Sequence, residues 1–178
     1  MFAILGARLR LALYLFHQRF AAEPQLLLPA DRFDHRAAFL KSHFLYDNPM
    51  SGIIEALPEL ADAALDCLEL TDQSEEHRRG LYEFGSRLGT HIGFYYWNAA
   101  FRDQPTADAT LDRFFQIAKP KTRAATVAEI GRIFAHAQPS EDVSGLYGRV
   151  MQMWDRHFSH IEEAMELGKT PPLNSPMN

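Results

Sequence analysis

Residues 81–101 read LYEFGSRLGTHIGFYYWNAAF, and this stretch carries Gly85, Gly89 and Gly93 at four-residue steps. An apolar seam with helical spacing runs beside the glycines and consists of Leu81, Phe84, Leu88, Ile92, Tyr95 and Ala99. A glycine in a helix interior costs about 1 kcal/mol of stability relative to alanine. Three glycines in register therefore indicate that something approaches this backbone closely. We favour a neighbouring helix, because small residues at this spacing give a helix room without any ligand.

The alternative is a cofactor lying on Gly85, Gly89 and Gly93. Segment 81–92 resembles the distal-helix segment of haem oxygenases, in which a Gly-Ser-x-Leu-Gly motif lets the helix backbone lie against the haem face. The residues that match the motif are Gly85, Ser86, Leu88 and Gly89. The resemblance implies a haem or metal in the glycine groove. The histidines considered as its ligands are His17, His43 and His157.

Helical signals extend over the whole chain, and no segment alternates apolar and polar residues as a half-buried strand does. Stop signals divide the chain at Pro24, Asn48–Pro49, Pro105, Pro120 and Pro139. Pro58 interrupts the third predicted helix and should kink or split it. We predict an all-α fold of six or seven helices in one domain, residues 1–168, with the glycine-bearing helix at its centre. Residues 169–178 are expected to form a flexible tail.

Capping residues predict where several helices begin. Asp31 is expected to cap the second helix, and Thr122 the helix that precedes Pro139. Asp72 with Glu75 forms a capping-box pattern before the glycine-bearing helix. The last helix has the clearest apolar period, and its repeating residues are Val143, Tyr147, Val150, Trp154, Phe158, Ile161 and Met165.

Composition excludes several classes of protein. The chain has 178 residues, of which 47% are hydrophobic and 23% charged, so wholesale disorder is not expected. Its net charge is −5 and its basic residues are scattered, which argues against binding to nucleic acid. Cys67 is the only cysteine and lies on an apolar stripe, so we expect a buried, inert thiol. The absence of a disulfide partner fits a reducing compartment, and we expect a cytoplasmic protein.

The N-terminal segment, residues 1–22, is apolar but is not expected to span a membrane. Arg8 and Arg10 interrupt it well short of the ~20 apolar residues that a span needs. Its apolar side chains point in nearly every direction, so a single core cannot cover them all. We expect this helix to be buried or packed against a protein partner, and the alternative is a peripheral membrane contact through residues 1–20. The predicted partner-binding residues, here and at the aromatic end of the glycine helix, are Phe2, Leu9, Leu13, Phe16, Tyr96 and Trp97.

His157 and His160 are spaced i, i+3 on the last helix, and two such histidines can share a metal ion. A pair of half-buried histidines at a helix boundary is the interpretation that we favour. The sequence contains no HExxH motif, phosphate-binding loop or nucleophile elbow, so no catalytic residue is assigned.

Two functional hypotheses follow from these patterns. The first is a non-enzymatic helical protein, such as an adaptor, regulatory or assembly subunit, that binds a protein partner or forms a homo-oligomer. The second is a helical-bundle enzyme that depends on haem or a metal bound in the glycine groove. The first leads, because the chain has surplus apolar and aromatic residues but no complete catalytic constellation.

Overall fold

The computed structural model describes residues 1–29, 31–71, 78–136 and 143–169. These residues form helices and no β-strand, which confirms the all-α class. The helices are α1 (Phe2–Gly6), α2 (Leu9–Ala22), α3 (Phe33–Tyr46), α4 (Ser51–Ala56), α5 (Leu60–Thr71), α6 (Arg78–Trp97), α7 (Gln104–Ile117), α8 (Pro120–His136) and α9 (Val143–Lys169), with a 3-10 turn at Pro24–Leu26. Nine α-helices in the described residues exceed the six or seven predicted. The first and third predicted helices are each divided in two.

The first predicted helix breaks between α1 and α2. Arg8 takes a non-helical conformation, with φ −129° and ψ 23°. A straight helix can turn only one face to a core, but the break lets α1 and α2 turn different faces of the apolar segment towards the rest of the fold. After it, Leu9 and Leu13 of α2 are buried in the core, while α1 packs along α3.

The helix ends show which local signals hold. Pro58 lies between α4 and α5, so its predicted split is confirmed. The predicted caps at Asp31 and Thr122 are wrong, because α3 starts after Arg32 and α8 starts at Pro120. Asp103, which was not predicted as a cap, accepts a hydrogen bond from the Thr106 amide at 2.8 Å. The predicted capping box at 72–75 lies outside the described residues.

Helix α6 packs against α3, α5, α7, α8 and α9. Four residues of the predicted seam are fully buried: Phe84, Leu88, Ile92 and Tyr95. A helix with neighbours on so many sides buries nearly all of its surface, including residues that a simple amphipathic pattern would leave in water. No helix within the described residues is both long and apolar enough to cross a lipid bilayer.

Gly6 brings the backbones of α1 and α3 together. A Cβ added at Gly6 would fall on the carbonyl oxygen of Phe39 and lie 3.1 Å from the amide nitrogen of His43. The Ser42 hydroxyl donates a hydrogen bond of 2.6 Å to the Ala3 carbonyl across the same contact. Because the opposing atoms belong to backbone, they cannot move aside as a side chain does.

We expect Gly6→Ala to displace α1 from α3 and to lower the free energy of unfolding by about 1–3 kcal/mol. Hydrogen exchange measured by mass spectrometry should show faster exchange of the amides in residues 2–7. The matched control is Gly52→Ala in α4, where an added Cβ has no atom within 4 Å. Equal exchange of residues 2–7 in the two variants would contradict the contact between backbones.

Candidate functional site

The glycine row of α6 is covered by helix α8. A row of α8 side chains at the same four-residue steps lies on the glycines, with Thr122 over Gly85, Thr126 over Gly89 and Ile130 over Gly93. A Cβ added at Gly85 would lie 3.1 Å from Thr122 Cγ2, and one at Gly93 would lie 2.8 Å from Ile130 Cδ1. At Gly89 the added Cβ would fall on Thr126 Oγ1 and on the ring of Phe114. Side chains of α7 and α8 therefore fill the space in which a planar ligand would have to lie.

His43 and His157, two of the three histidines considered as haem ligands, make their ring contacts away from the glycine row. His43 makes its ring contacts with Phe44 and His91, at centroid distances of 4.9 and 5.5 Å. His157 contacts the ring of Phe115. The side chain of His17 lies outside the described part of the structure.

His157 and His160 both pack on Phe115, with ring centroids 5.6 and 5.9 Å away. Burial lowers the pKa of His157, and the nearby Arg123 and His160 lower it further. His160 Nδ1 lies 3.7 Å from a carboxylate oxygen of Glu163. No group of three or more histidine, cysteine or acidic residues able to hold a metal occurs among the described residues. The pair is therefore packed at a helix boundary without a third ligand from the described chain.

The four predicted partner-binding residues of the N-terminal segment lie in different environments. Leu9 and Leu13 are part of the core and are not available to a partner. Phe2 is half-buried and stacks on His35, with ring centroids 4.7 Å apart. Phe16 is more than half exposed and stands at a non-helical point inside α2, with φ −131°.

The outer side of α2 forms an apolar surface. Its large side chains are more than half exposed, and they are Leu11, Tyr14, Leu15 and Phe16; we call this surface the α2 face. Leu11 and Leu15 are one helical turn apart with Tyr14 beside them, so these side chains are neighbours. Arg8 and Arg10 are exposed next to them. Sequence reasoning identified the apolar surplus of this helix but assigned Leu9 and Leu13 to the wrong side.

Tyr96 and Trp97 lie inside the fold rather than on a partner surface. The Tyr96 hydroxyl is 2.9 Å from Asp108 Oδ1 and 3.1 Å from Gln152 Oε1, so it can donate to either oxygen. Burial raises the pKa of Tyr96, and the hydrogen bond to Asp108 raises it further. Trp97 packs against Phe134 at 5.5 Å. Their prediction as partner-binding residues is corrected, because α6 has neighbours around most of its circumference.

Helix α9 carries a second apolar surface, and half of its large side chains are exposed. The residues follow steps of four and three, as in a coiled-coil seam, and they are Tyr147, Met151, Trp154, Phe158, Ile161 and Met165; we call this surface the α9 stripe. Tyr147, Phe158 and Met165 are more than half exposed. The side of α9 that enters the core instead carries Val150 and Met153. One edge of the stripe meets α8, because Tyr147 contacts the ring of Phe134 at 6.2 Å and Trp154 packs against the core. Phe158 and Met165 are the exposed part of the stripe beyond that edge.

A polar cluster of two histidines lies buried between α3 and α6. His43 and His91 are fully buried, and their ring centroids are 5.5 Å apart. His91 Nε2 lies 3.3 Å from the carbonyl oxygen of Asp47, and Nδ1 lies 3.3 Å from the Tyr95 hydroxyl. Burial and the neighbouring His43 lower the pKa of His91 to about 3. His91 shares its four-residue spacing with the exposed Glu83 and Arg87, so helical periodicity alone would place it in solvent, but the fold buries it.

Asp47 lies at the edge of this cluster. Its carboxylate oxygen Oδ2 is 3.5 Å from His43 Nδ1, at the outer limit of a hydrogen bond. The interaction with His43 lowers the pKa of Asp47, so the carboxylate stays ionised at neutral pH. The cluster thus combines neutral His91 with an ionised carboxylate at the protein surface.

Two of the surface grooves among the described residues combine polar side chains from more than one helix. One, of about 470 Å³, lies between α3, α6 and α8, and its charged residues are Glu83, Arg87 and Glu129. The other, of about 510 Å³, lies between α7 and α9. In the second groove Arg156 pairs with Asp108 at 3.0 Å, and Arg149 donates to the Trp97 carbonyl at 3.2 Å. Because these arginines are already engaged, the second groove defines no ligand class.

The chain matches no known protein family, no curated protein and no solved structure.

Proposed function

We propose that this chain is a non-enzymatic α-helical interaction protein that binds a protein partner or a second copy of itself. The observation that carries the proposal is the α2 face, where four large apolar side chains of one helix are more than half exposed. In this proposal residues 1–168 act as one cytoplasmic bundle around α6, as an adaptor, regulatory or assembly subunit. Contiguous exposed apolar surface on a soluble protein is a mark of interaction sites.

Covering the α2 face with a partner would remove its apolar side chains from water and so stabilise the complex. Fully burying a leucine or phenylalanine side chain contributes about 1.5–3 kcal/mol, so covering four half-exposed side chains contributes several kcal/mol. Arg8 and Arg10 lie at the margin of the face. Arginine is enriched in protein interfaces, since its guanidinium group remains hydrogen-bonded at a partly wet rim.

Competing functions receive less support. The net charge of −5 and the scattered basic residues do not favour nucleic acid. A haem site in the glycine groove would require α8 to leave Gly85, Gly89 and Gly93, which it covers so closely that a Cβ added at any of them would lie within 3.1 Å of an α8 side chain. The proposal therefore assigns no catalytic residue and no cofactor.

Photo-crosslinking in the producing cell tests the proposal. The photoreactive residue p-benzoylphenylalanine replaces Tyr14 on the α2 face. Irradiation should crosslink the chain to a protein bound there, which gives a covalent adduct of higher mass than the chain alone. The matched control places the same residue at Tyr46 on α3, which is also a largely exposed tyrosine but lies outside the α2 face. We expect adducts at position 14 and few at position 46.

Two outcomes would refute the proposed function. One is a Tyr14 probe that forms no protein adduct. The other is a probe that crosslinks to lipid alone, which would point to a peripheral membrane contact through residues 1–20. A protein adduct supports the proposal whether the captured chain is another protein or a second copy.

A further inference from the structure

The α2 face is surrounded by positive charge. Residues 1–22 contain Arg8, Arg10 and Arg19 and no aspartate or glutamate, so this segment carries +3 while the rest of the chain carries −8. All three arginines are exposed. A surface that complements the α2 face would therefore combine apolar side chains with carboxylates.

The α9 stripe has this composition. Asp155 follows Met151 by one helical turn, and Glu162 follows Phe158 by one helical turn, so a row of carboxylates runs along one edge of the stripe. Asp155 and Glu162 are both exposed. The stripe thus has exposed apolar side chains and a negative edge, where the α2 face has exposed apolar side chains and positive neighbours.

We propose that the α2 face of one copy docks on the α9 stripe of a second copy. This inference rests on the proposed function and names its partner. Helix α2 breaks at Phe16, so its straight first part, residues 9–15, is about 10 Å long at 1.5 Å per residue. The stripe from Tyr147 to Met165 is about 27 Å long, so the first part of α2 can lie along it. Arg8 and Arg10 then lie near Asp155 and Glu162.

The two surfaces are held by different groups of helices within one chain. Helix α2 packs against α1 and α4, whereas α9 packs against α6, α7 and α8. Because the contact joins two different surfaces, it occurs twice in a closed two-fold dimer or once between successive copies in an open assembly. A lipid bilayer would attract the arginines of α2 but gives the acidic edge of α9 no role, and for this reason a second copy is the better occupant.

Sedimentation velocity of the purified full-length chain over a range of concentrations tests the contact. The wild type should associate, and added salt should weaken the association because exposed charges are screened. The charge reversals Arg8→Glu with Arg10→Glu, and separately Asp155→Arg with Glu162→Arg, should each raise the dissociation constant about tenfold. Combining all four substitutions restores opposite charges and should recover most of the affinity. Asp62→Arg, an exposed acid on α5, is the control and should leave the dissociation constant unchanged.

A second pair of variants tests the apolar part of the contact. Leu11→Glu and Phe158→Glu change exposed side chains, so both chains should keep the circular dichroism spectrum of the wild type and lose association. Equimolar mixing of the two variants should restore a single heterologous contact, because each supplies the surface that the other lacks.

Several results would overturn the docking. These are a wild type that is monomeric at every concentration, charge reversals that do not rescue each other, or flotation with anionic phosphatidylglycerol vesicles that depends on Arg8 and Arg10 alone. A monomeric purified chain whose Tyr14 probe still crosslinks to a different protein in cells would refute this inference and leave the proposed function standing. A Tyr14 probe without protein adducts would remove the proposed function itself.

Discussion

Replacing Gly89 by leucine should lower the free energy of unfolding by about 3 kcal/mol or more. The added Cβ falls on Thr126 Oγ1 and the Phe114 ring and lies 2.9 Å from Thr126 Cγ2. Phe114 is fully buried and Thr126 nearly so, which leaves neither side chain space to rotate away. Helix α8 would have to separate from α6. For a chain of this size such a loss corresponds to a melting temperature lower by roughly 6–12 °C.

The alanine variants supply a matched control for this prediction. In an open helical position, replacing glycine by alanine stabilises a protein by up to about 1 kcal/mol. Gly148→Ala on α9 meets no atom within 4 Å and should raise or preserve the melting temperature, whereas Gly89→Ala should lower it. If Gly89→Ala melts at or above the wild type, α8 does not lie on the glycine row.

The same leucine variant separates the haem hypothesis from helix packing. If the groove opens to admit haem, the wild type should develop a Soret band when haem is added, and Gly89→Leu should weaken that binding more than it destabilises the apo chain. We expect instead no stoichiometric haem complex and a lower melting temperature, because the groove is filled by Thr122, Thr126 and Ile130.

Acid should destabilise the fold from about pH 6.5 downward because His91 is buried as the neutral imidazole. Its pKa in the folded chain is about 3, below the ordinary value of 6.5, so the unfolded chain takes up the proton first. The stabilising contribution is complete above pH 6.5 and is lost as the pH falls towards 3. Between the two pKa values, uptake of one proton by the unfolded chain lowers the free energy of unfolding by about 1.4 kcal/mol per pH unit. The loss between pH 6.5 and pH 4.5 is therefore roughly 3 kcal/mol.

Other groups act in the same direction in acid. The lowered pKa of His157 adds to the loss below about pH 6.5. The lowered pKa of Asp47 means that its stabilising contribution, present when the carboxylate is ionised, is lost at still lower pH. The combined curve should therefore fall continuously from neutral pH into strong acid.

Urea unfolding at a series of pH values measures this dependence. His91→Phe keeps an aromatic ring at the site but cannot be protonated, so its free energy of unfolding should change less steeply between pH 6.5 and 4.5. His136→Gln, at an exposed position at the end of α8, should keep the slope of the wild type. Parallel curves for the wild type and His91→Phe would show that His91 does not titrate as a buried group.

Local chemistry accounts for what the sequence could predict. Helical spacing and the lack of strand alternation predicted the all-α class. Pro58 predicted the boundary between α4 and α5, because proline has no backbone N–H and so interrupts the hydrogen bonds of the helical turn in which it lies. The glycine row predicted a close neighbour, since glycine at four-residue steps has little other use in a helix. The helix identified as that neighbour, α8, could not be read from α6 alone.

Long-range packing accounts for what the sequence could not predict. Gly6 stands alone in the N-terminal segment, and only the position of the Phe39 carbonyl makes it indispensable. His91 shares a helical row with Glu83 and Arg87, which are exposed near the start of α6. His91 lies further along the helix, where His43 and Phe44 of α3 pack on it and bury it. On α9, both sides of the helix are apolar, and the sequence period did not reveal that only one of them faces the domain.

The cover that α8 provides for the glycine row has a consequence for synthesis at the ribosome. Helix α6 contains three residues that weaken it by about 1 kcal/mol each, and its compensating neighbour begins only at Pro120. Helices α1 and α3, by contrast, can pair as soon as residue 46 has emerged. While α8 is still inside the ribosome, the emerged part of the chain contains the paired α1 and α3. It also contains α6 without its cover and with frayed turns, and Phe114 is exposed. Such an intermediate exposes apolar surface and is prone to aggregate, so translation through residues 120–136 is the step that allows the glycine row to be covered.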